Sequence, residues 1–239
     1  MAILLAASAS GARPARAAPG EWTQEVRGTV GPYRVGGALV VRDGRVFEAG
    51  HYFYASRLAN IPLRGTMHGG ELELTEPGGG TFRLRLVHPG ATGPVTEFGN
   101  ATGLDGSWSG NGRTLPVRLD FDWGAPGPWP VRRYGDVTAD PDAVFEGKVR
   151  RFVAAVLSGD RTAASGFVSY PLRVNGAAGF VVRTRVELPA RWDAVFTPAV
   201  LAALRAAIPH EMFVRNGQAM IGNGQAWFDA AGLCAVNPG

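Results

Sequence analysis

The hydrophobic spacing of this chain changes from two to three-and-a-half partway along, and that change limits the fold more than any other feature. Before Trp123, apolar residues alternate with polar ones. Leu72 and Leu74 alternate with Glu71 and Glu73, Phe82, Leu84 and Leu86 with Arg83 and Arg85, and Leu115, Val117, Leu119 and Phe121 with polar positions. That is the pattern of strands with one wet face. After Pro130, Phe145, Val149, Phe152, Val153 and Val156 form a single helical stripe. Between them, residues 123–130 carry three prolines, which remove backbone donors and argue against a helix or a central strand. The chain therefore divides into an antiparallel β domain at 19–122, a Pro/Gly linker at 123–138 and an α+β domain at 139–239.

In the β domain, Asp43-Gly44 and Gly69-Gly70 read as hairpin turns, and Asp105-Gly106 and Asn111-Gly112 read as turns on either side of Trp108. Seven or eight strands of this kind predict a curled meander, barrel or sandwich, because one-sided strands must bury their apolar faces against each other. The 34 glycines and 17 prolines fit many short strands better than a helical bundle. In the second domain, Asp140 with Pro141 predicts a helix start, as do Asp160 and Thr197-Pro198. Phe167–Val174 and Phe180–Thr184 read as strands. Four further strand-like runs follow: 212–215, 218–221, 225–228 and 233–236.

Residues 1–18 read as an export signal. Met1 to Ala9 are apolar apart from one serine, no basic residue precedes them, and Ala15-Arg16-Ala17 has the small-residue form that precedes cleavage. No apolar run reaches the roughly 20 residues of a membrane span. The expected location is periplasmic or secreted, without stable membrane insertion. A lone Cys234 fits export, and in its apolar strand reads as a buried, inert thiol. The net charge of +4 is dispersed. Residues 19–138 hold as many acids as arginines and basic runs never exceed two, so a nucleic-acid surface is not expected.

Catalytic motifs fail on inspection. Gly106–Gly110 places Trp108 where a nucleophile elbow needs serine, and Gly222-Asn-Gly224 precedes a strand where a phosphate loop needs a helix. The four histidines are scattered. His51 and His68 as cross-strand neighbours offer only a weak surface metal site, so no metal or cofactor is expected.

The stretches SGDRTAASGFVSYPLRV, RWDAVFTPAVLAALRAAI and GQAMIGNGQAWFDAAGLCAVN, after an amphipathic helix, resemble the cone-shaped NTF2-like superfamily. The β domain more loosely resembles strand-rich domains of exported bacterial proteins, through Gly50–Tyr54 and Leu104–Trp108. The cone resemblance implies a curved sheet around helices with an open mouth, lined here by Tyr170, Trp192, His210 and Trp227. In catalytic members an Asp–His pair does acid/base work, which brings in Asp193 or Asp229. The alternative for these residues is core packing for the aromatics and turn or surface roles for the acids. Two functions are carried forward. One is a non-enzymatic exported protein that binds an envelope protein, a glycan or a small apolar ligand. The other is a hydrolase or isomerase using an Asp–His pair.

Overall fold

The computed structural model describes residues 20–177 and 179–239, so the expected signal segment, 1–18, lies outside the described residues. The chain is α+β and divides into two compact units between Val131 and Arg132.

The first unit is a closed barrel of eight antiparallel strands in chain order: β1 (Glu21–Val30), β2 (Tyr33–Arg42), β3 (Val46–Tyr54), β4 (Ile61–His68), β5 (Glu71–Thr75), β6 (Thr81–Val87), β7 (Gly103–Gly110) and β8 (Arg113–Pro126). Each strand pairs with the next, and β8 returns to pair with β1. Period-two alternation points one set of side chains inward. Leu39, Leu72, Leu74, Leu84, Leu104 and Val117 are buried together, while Glu71, Glu73, Arg83 and Arg85 face out. Asp43-Gly44 and Asn111-Gly112 turn with positive φ at both residues, the geometry that matches strand twist. The long connection from β6 to β7 tucks Phe98 into the core, stacked on Phe121 at 5.2 Å.

Two sequence expectations are corrected here. Asp105-Gly106 is not a turn but the middle of β7. Alternation with Leu104 puts Gly106 on the inner side, where a Cβ would lie 2.0 Å from the Arg83 carbonyl oxygen. Glycine is required there by a close strand approach. The prolines of 123–130 argue against a helix or a central strand, yet β8 continues to Pro126 inside the closed ring, with Gly124 opposite Gln24 and Pro126 opposite Trp22. The proline is tolerated because it ends the strand, beyond which Gly127 N–H donates to the Glu21 carbonyl.

Among the described residues the second unit holds four α-helices, α1 (Asp142–Ser158), α2 (Arg161–Ser165), α3 (Trp192–Val195) and α4 (Pro198–Ala206). Its six strands are β9 (Val168–Val174), β10 (Phe180–Val182), β11 (Phe213–Arg215), β12 (Gln218–Ile221), β13 (Ala226–Phe228) and β14 (Leu233–Val236). The sheet order is β10-β9-β14-β13-β12-β11, antiparallel except where β14 runs parallel to β9. The helical stripe Phe145, Val149, Phe152 and Val156 packs with Leu172, Trp192, Phe196 and Phe228 into a core of its own. Asp160 accepts from Ala163 N and Thr197 from Val200 N, as capping residues should. At α1 the start is one residue later than the sequence implied. Pro141 is the N-cap, and Asp142 instead accepts from the backbone N–H groups of Arg133 and Tyr134.

Because Gly106 sits where β6 and β7 crowd, Gly106→Val is expected to destabilise the chain by about 1–3 kcal/mol or more. The neighbouring outward substitution Ser107→Val should stay within about 0.5 kcal/mol of the parent in the same urea titration.

Candidate functional site

The residues expected to line a cone mouth each have their own surroundings. Trp192 is buried in the helical core, 4.4 Å from the Phe196 ring, with the Arg161 guanidinium 5.3 Å from its own centroid. Trp227 lies between Ala226 and Phe228, which both enter that core, so its ring faces the opposite side of the sheet. Its Nε1–H donates to the Gly224 carbonyl at 3.0 Å. Tyr170 packs against the core and donates to the Ser165 carbonyl at 3.3 Å. Partial burial raises its phenol pKa above the usual value.

The Asp–His expectation is also corrected. Asp193 is exposed, with Arg161 3.8 Å away. Asp229 accepts from Ser169 Oγ and from Ala231 and Gly232 N–H, which fixes the turn into β14. The carboxylate beside His210 belongs to Glu146 of α1, whose two oxygens each lie 2.9 Å from Nδ1. A charged carboxylate only accepts, so in the pair with Glu146 ionised the donor is Nδ1–H. Glu146 is buried, and the His210 side chain is nearly so. Glu146 stands three residues before Val149 and seven before Val153, at the edge of the apolar stripe. An acid in that place is the sequence signal that had been available. Nearby, Tyr134 is fully buried, donates to the Pro209 carbonyl and accepts from Met212 N–H. Burial pushes its phenol pKa up, Arg133 opposes this, and the Glu146 charge adds to it.

Inside the barrel, the void among Leu39, Tyr52, Leu74 and Phe82 measures only about 10 Å³, room for about one water and no ligand chamber. At the end of the barrel near the β5–β6 turn, Glu76 accepts from the Tyr52 hydroxyl and from Trp108 Nε1–H, the latter at 3.2 Å. Burial, reinforced by that carboxylate, moves the Tyr52 phenol pKa far above its ordinary value. Tyr54 packs edge-on against Tyr52, and the half-exposed Tyr33 against Tyr54. The period-two reading gave no hint of this clasp, because Glu76 lies just outside a strand.

The outer wall of the barrel carries a cleft of about 910 Å³ reaching from β4 across β5–β8 to β1. Its floor is the level of Leu72, Leu84, Gly106 and Val117, which are opposed in register. One row out on one side stand Glu71, Arg85, Asp105 and Arg118, also in register. On the other side stand Glu73, Arg83 and Pro116. Gly106 leaves β7 without a side chain in this floor, and Gly28 leaves the inner row of β1 without one, where a Cβ would lie 1.9 Å from the Arg118 carbonyl oxygen. Asp105 pairs with Arg118 at 3.4 Å and Glu73 with Arg83 at 3.5 Å. His68 lines this cleft, whereas the His51 ring packs on Trp129 at 4.8 Å. His51 is opposite Pro62, six residues along β4 from His68, or about 20 Å, so the two are not cross-strand neighbours.

Cys234 is buried, donates to the Trp227 carbonyl and accepts from Gln218. Burial, with the Asp229 charge adding to it, pushes its thiol up to about 11. At pH 8 that leaves about one thiolate in a thousand. A disulfide reagent at pH 8 should therefore label Cys234 only after denaturation, as absorbance of the released thiolate will show. His210→Ala removes the hydrogen bond to a buried carboxylate and should cost about 1–3 kcal/mol in a urea titration. Glu146→Gln, which keeps an acceptor for Nδ1–H, should cost less.

Among the described residues, no helix is long and apolar enough to cross a membrane. Comparison of the chain with protein-family models, curated proteins and solved structures finds no match.

Proposed function

We propose that the chain is an exported bacterial binding protein whose second unit is an NTF2-like cone, acting in the periplasm or outside the cell. Export is supported by the apolar run at Met1–Ala9 and by Ala15-Arg16-Ala17. The cone reading is supported by element order: two helices, two strands, two helices and then four strands, all six strands in one sheet. The observation that carries the binding reading is the contrast between the barrel's two faces. The void among Leu39, Tyr52, Leu74 and Phe82 inside measures about 10 Å³, while the outer wall carries a cleft of about 910 Å³ lined by paired and unpaired charges. A surface cleft serves recognition of a partner or glycan in the envelope. It lacks the enclosure that excludes water from a reaction.

One observation favours the second reading, a hydrolase or isomerase. Glu146 and His210 form a buried carboxylate–imidazole pair, the arrangement that orients a general base. In the binding reading the same pair satisfies a buried helix residue and anchors the turn before β11.

Native mass spectrometry of the protein recovered from an envelope fraction separates the two. The binding reading expects a non-covalent adduct, released on denaturation, that His210→Ala retains. Turnover of an ester or an isomerisable carbonyl substrate that His210→Ala abolishes, with no retained adduct, would support the enzyme instead.

A further inference from the structure

We infer that the outer cleft of the barrel is a binding site for a short zwitterionic peptide, with Arg85 and Glu71 as its two anchors. This inference rests on the binding reading above and names its ligand class. Along the wall, charges alternate strand by strand: Glu71 on β5, Arg85 on β6, Asp105 on β7 and Arg118 on β8. Adjacent strands are about 4.8 Å apart, so the row spans about 14 Å, the length of about four extended residues. The opposite wall begins with the same alternation, Glu73 then Arg83, about 6.7 Å further along the strands. A ligand lying across the strands thus meets carboxylate and guanidinium in turn on both sides. A pure polyanion or polycation would meet a repelling group at every second strand.

The ladder is not closed upon itself. Asp105 is taken by Arg118, and Glu73 by Arg83. Arg85 stands in register between Glu71 and Asp105, two carboxylates. Among the described residues, neither Arg85 nor Glu71 has a side-chain hydrogen bond or an ion pair within 4.0 Å. Both also line a second groove of about 390 Å³ beside the β6–β7 connection, which continues the surface past the end of the row. An unpaired guanidinium offers a planar fork for a carboxylate, and an unpaired glutamate offers an acceptor for an ammonium. Adjacent and of opposite sign, they match a ligand that carries both groups. The backbone over Gly106 is exposed, so a peptide can lie close to the floor between the rows.

The test uses the full exported chain and three blocked tetrapeptides. These are acetyl-Lys-Ala-Glu-Ala-amide, its cationic analogue with Gln for Glu, and its anionic analogue with Gln for Lys. Calorimetry gives affinity, and amide chemical shifts give the location. The expected result is that the zwitterion binds at least about tenfold more tightly than either analogue. Its shifts should fall on β5–β8, and it should weaken severalfold as salt is raised well past 0.1 M, a sign of exposed charges. Arg85→Glu should lose binding about tenfold or more. The double swap Arg85→Glu with Glu71→Arg should restore it, because the anchors exchange places. Arg85→Gln, which introduces no repulsion, guards against a folding defect and should also weaken binding. Equal affinity for the three peptides, or shifts confined to residues outside β4–β8 and β1, would overturn the assignment. If no peptide binds but an envelope-derived adduct is still retained, this inference fails and the broader binding reading survives. If no peptide binds and no adduct exists, both fail.

Discussion

Closure of an eight-stranded sheet on itself is the constraint from which the rest of the first unit follows. Once β8 pairs with β1, each strand has a hydrogen-bonded neighbour on both sides and no edge strand remains. Closure also forces one side chain in two into a space just wide enough to be filled. Leu39, Leu74, Leu104 and their neighbours fill it. The interior is thereby spent on stability, and whatever chemistry the barrel offers must lie at its ends or on its outer wall. The clasp of Tyr52 and Trp108 on Glu76 closes one end, and the Phe98 segment is tucked into the core beside the strand ends opposite.

The outer cleft and the inner packing share the same strands. At Gly106 and Gly28 the inward position has no side chain, and the strands approach closely enough that a Cβ would strike a neighbouring carbonyl. The charged rows on either side are outward residues of the same strands, placed by the same alternation. Core and surface are coupled here by register, since moving a strand by one residue would send Leu72 to the cleft wall and Glu71 to the core.

Much of this was legible in the sequence, and what was legible was local. Alternation at 71–75 and 81–87, the Asp43-Gly44 and Asn111-Gly112 turns, the caps at Asp160 and Thr197, and the four strand runs after Glu211 depend on residues within a few positions of each other. What was not legible depends on partners distant in the chain. Gly106 resembles the second residue of a turn until β6 is placed beside it. Pro126 resembles a break until it is seen to end a strand paired to Trp22, about a hundred residues earlier. The partner of His210 was sought among aspartates near it in sequence, yet Glu146 arrives from a helix 64 residues away. The surroundings of the four residues assigned to a cone mouth were hidden for a related reason. Side-chain alternation in β13 decides which face Trp227 serves, and only the pairing with β12 and β14 fixes that alternation.

The two charged features also differ in what each can do energetically. Glu146 is buried, and a buried carboxylate is costly unless its lone pairs are satisfied, so its pairing with His210 is compelled by folding whatever else it does. The outer ladder is under no such compulsion. Exposed pairs such as Asp105–Arg118 contribute about 0–1 kcal/mol each, because water and salt compete for both partners. Stability therefore gives little reason for the sequence to hold alternating charges in register across four strands, or for Arg85 to stand unpaired between two carboxylates. The same weakness shapes recognition. Each exposed contact adds little affinity, so discrimination must come from the number of contacts and from the repulsion that any ligand with one sign of charge would meet. An alternating row provides both, and it does so on a rigid wall whose spacing is set by backbone hydrogen bonds.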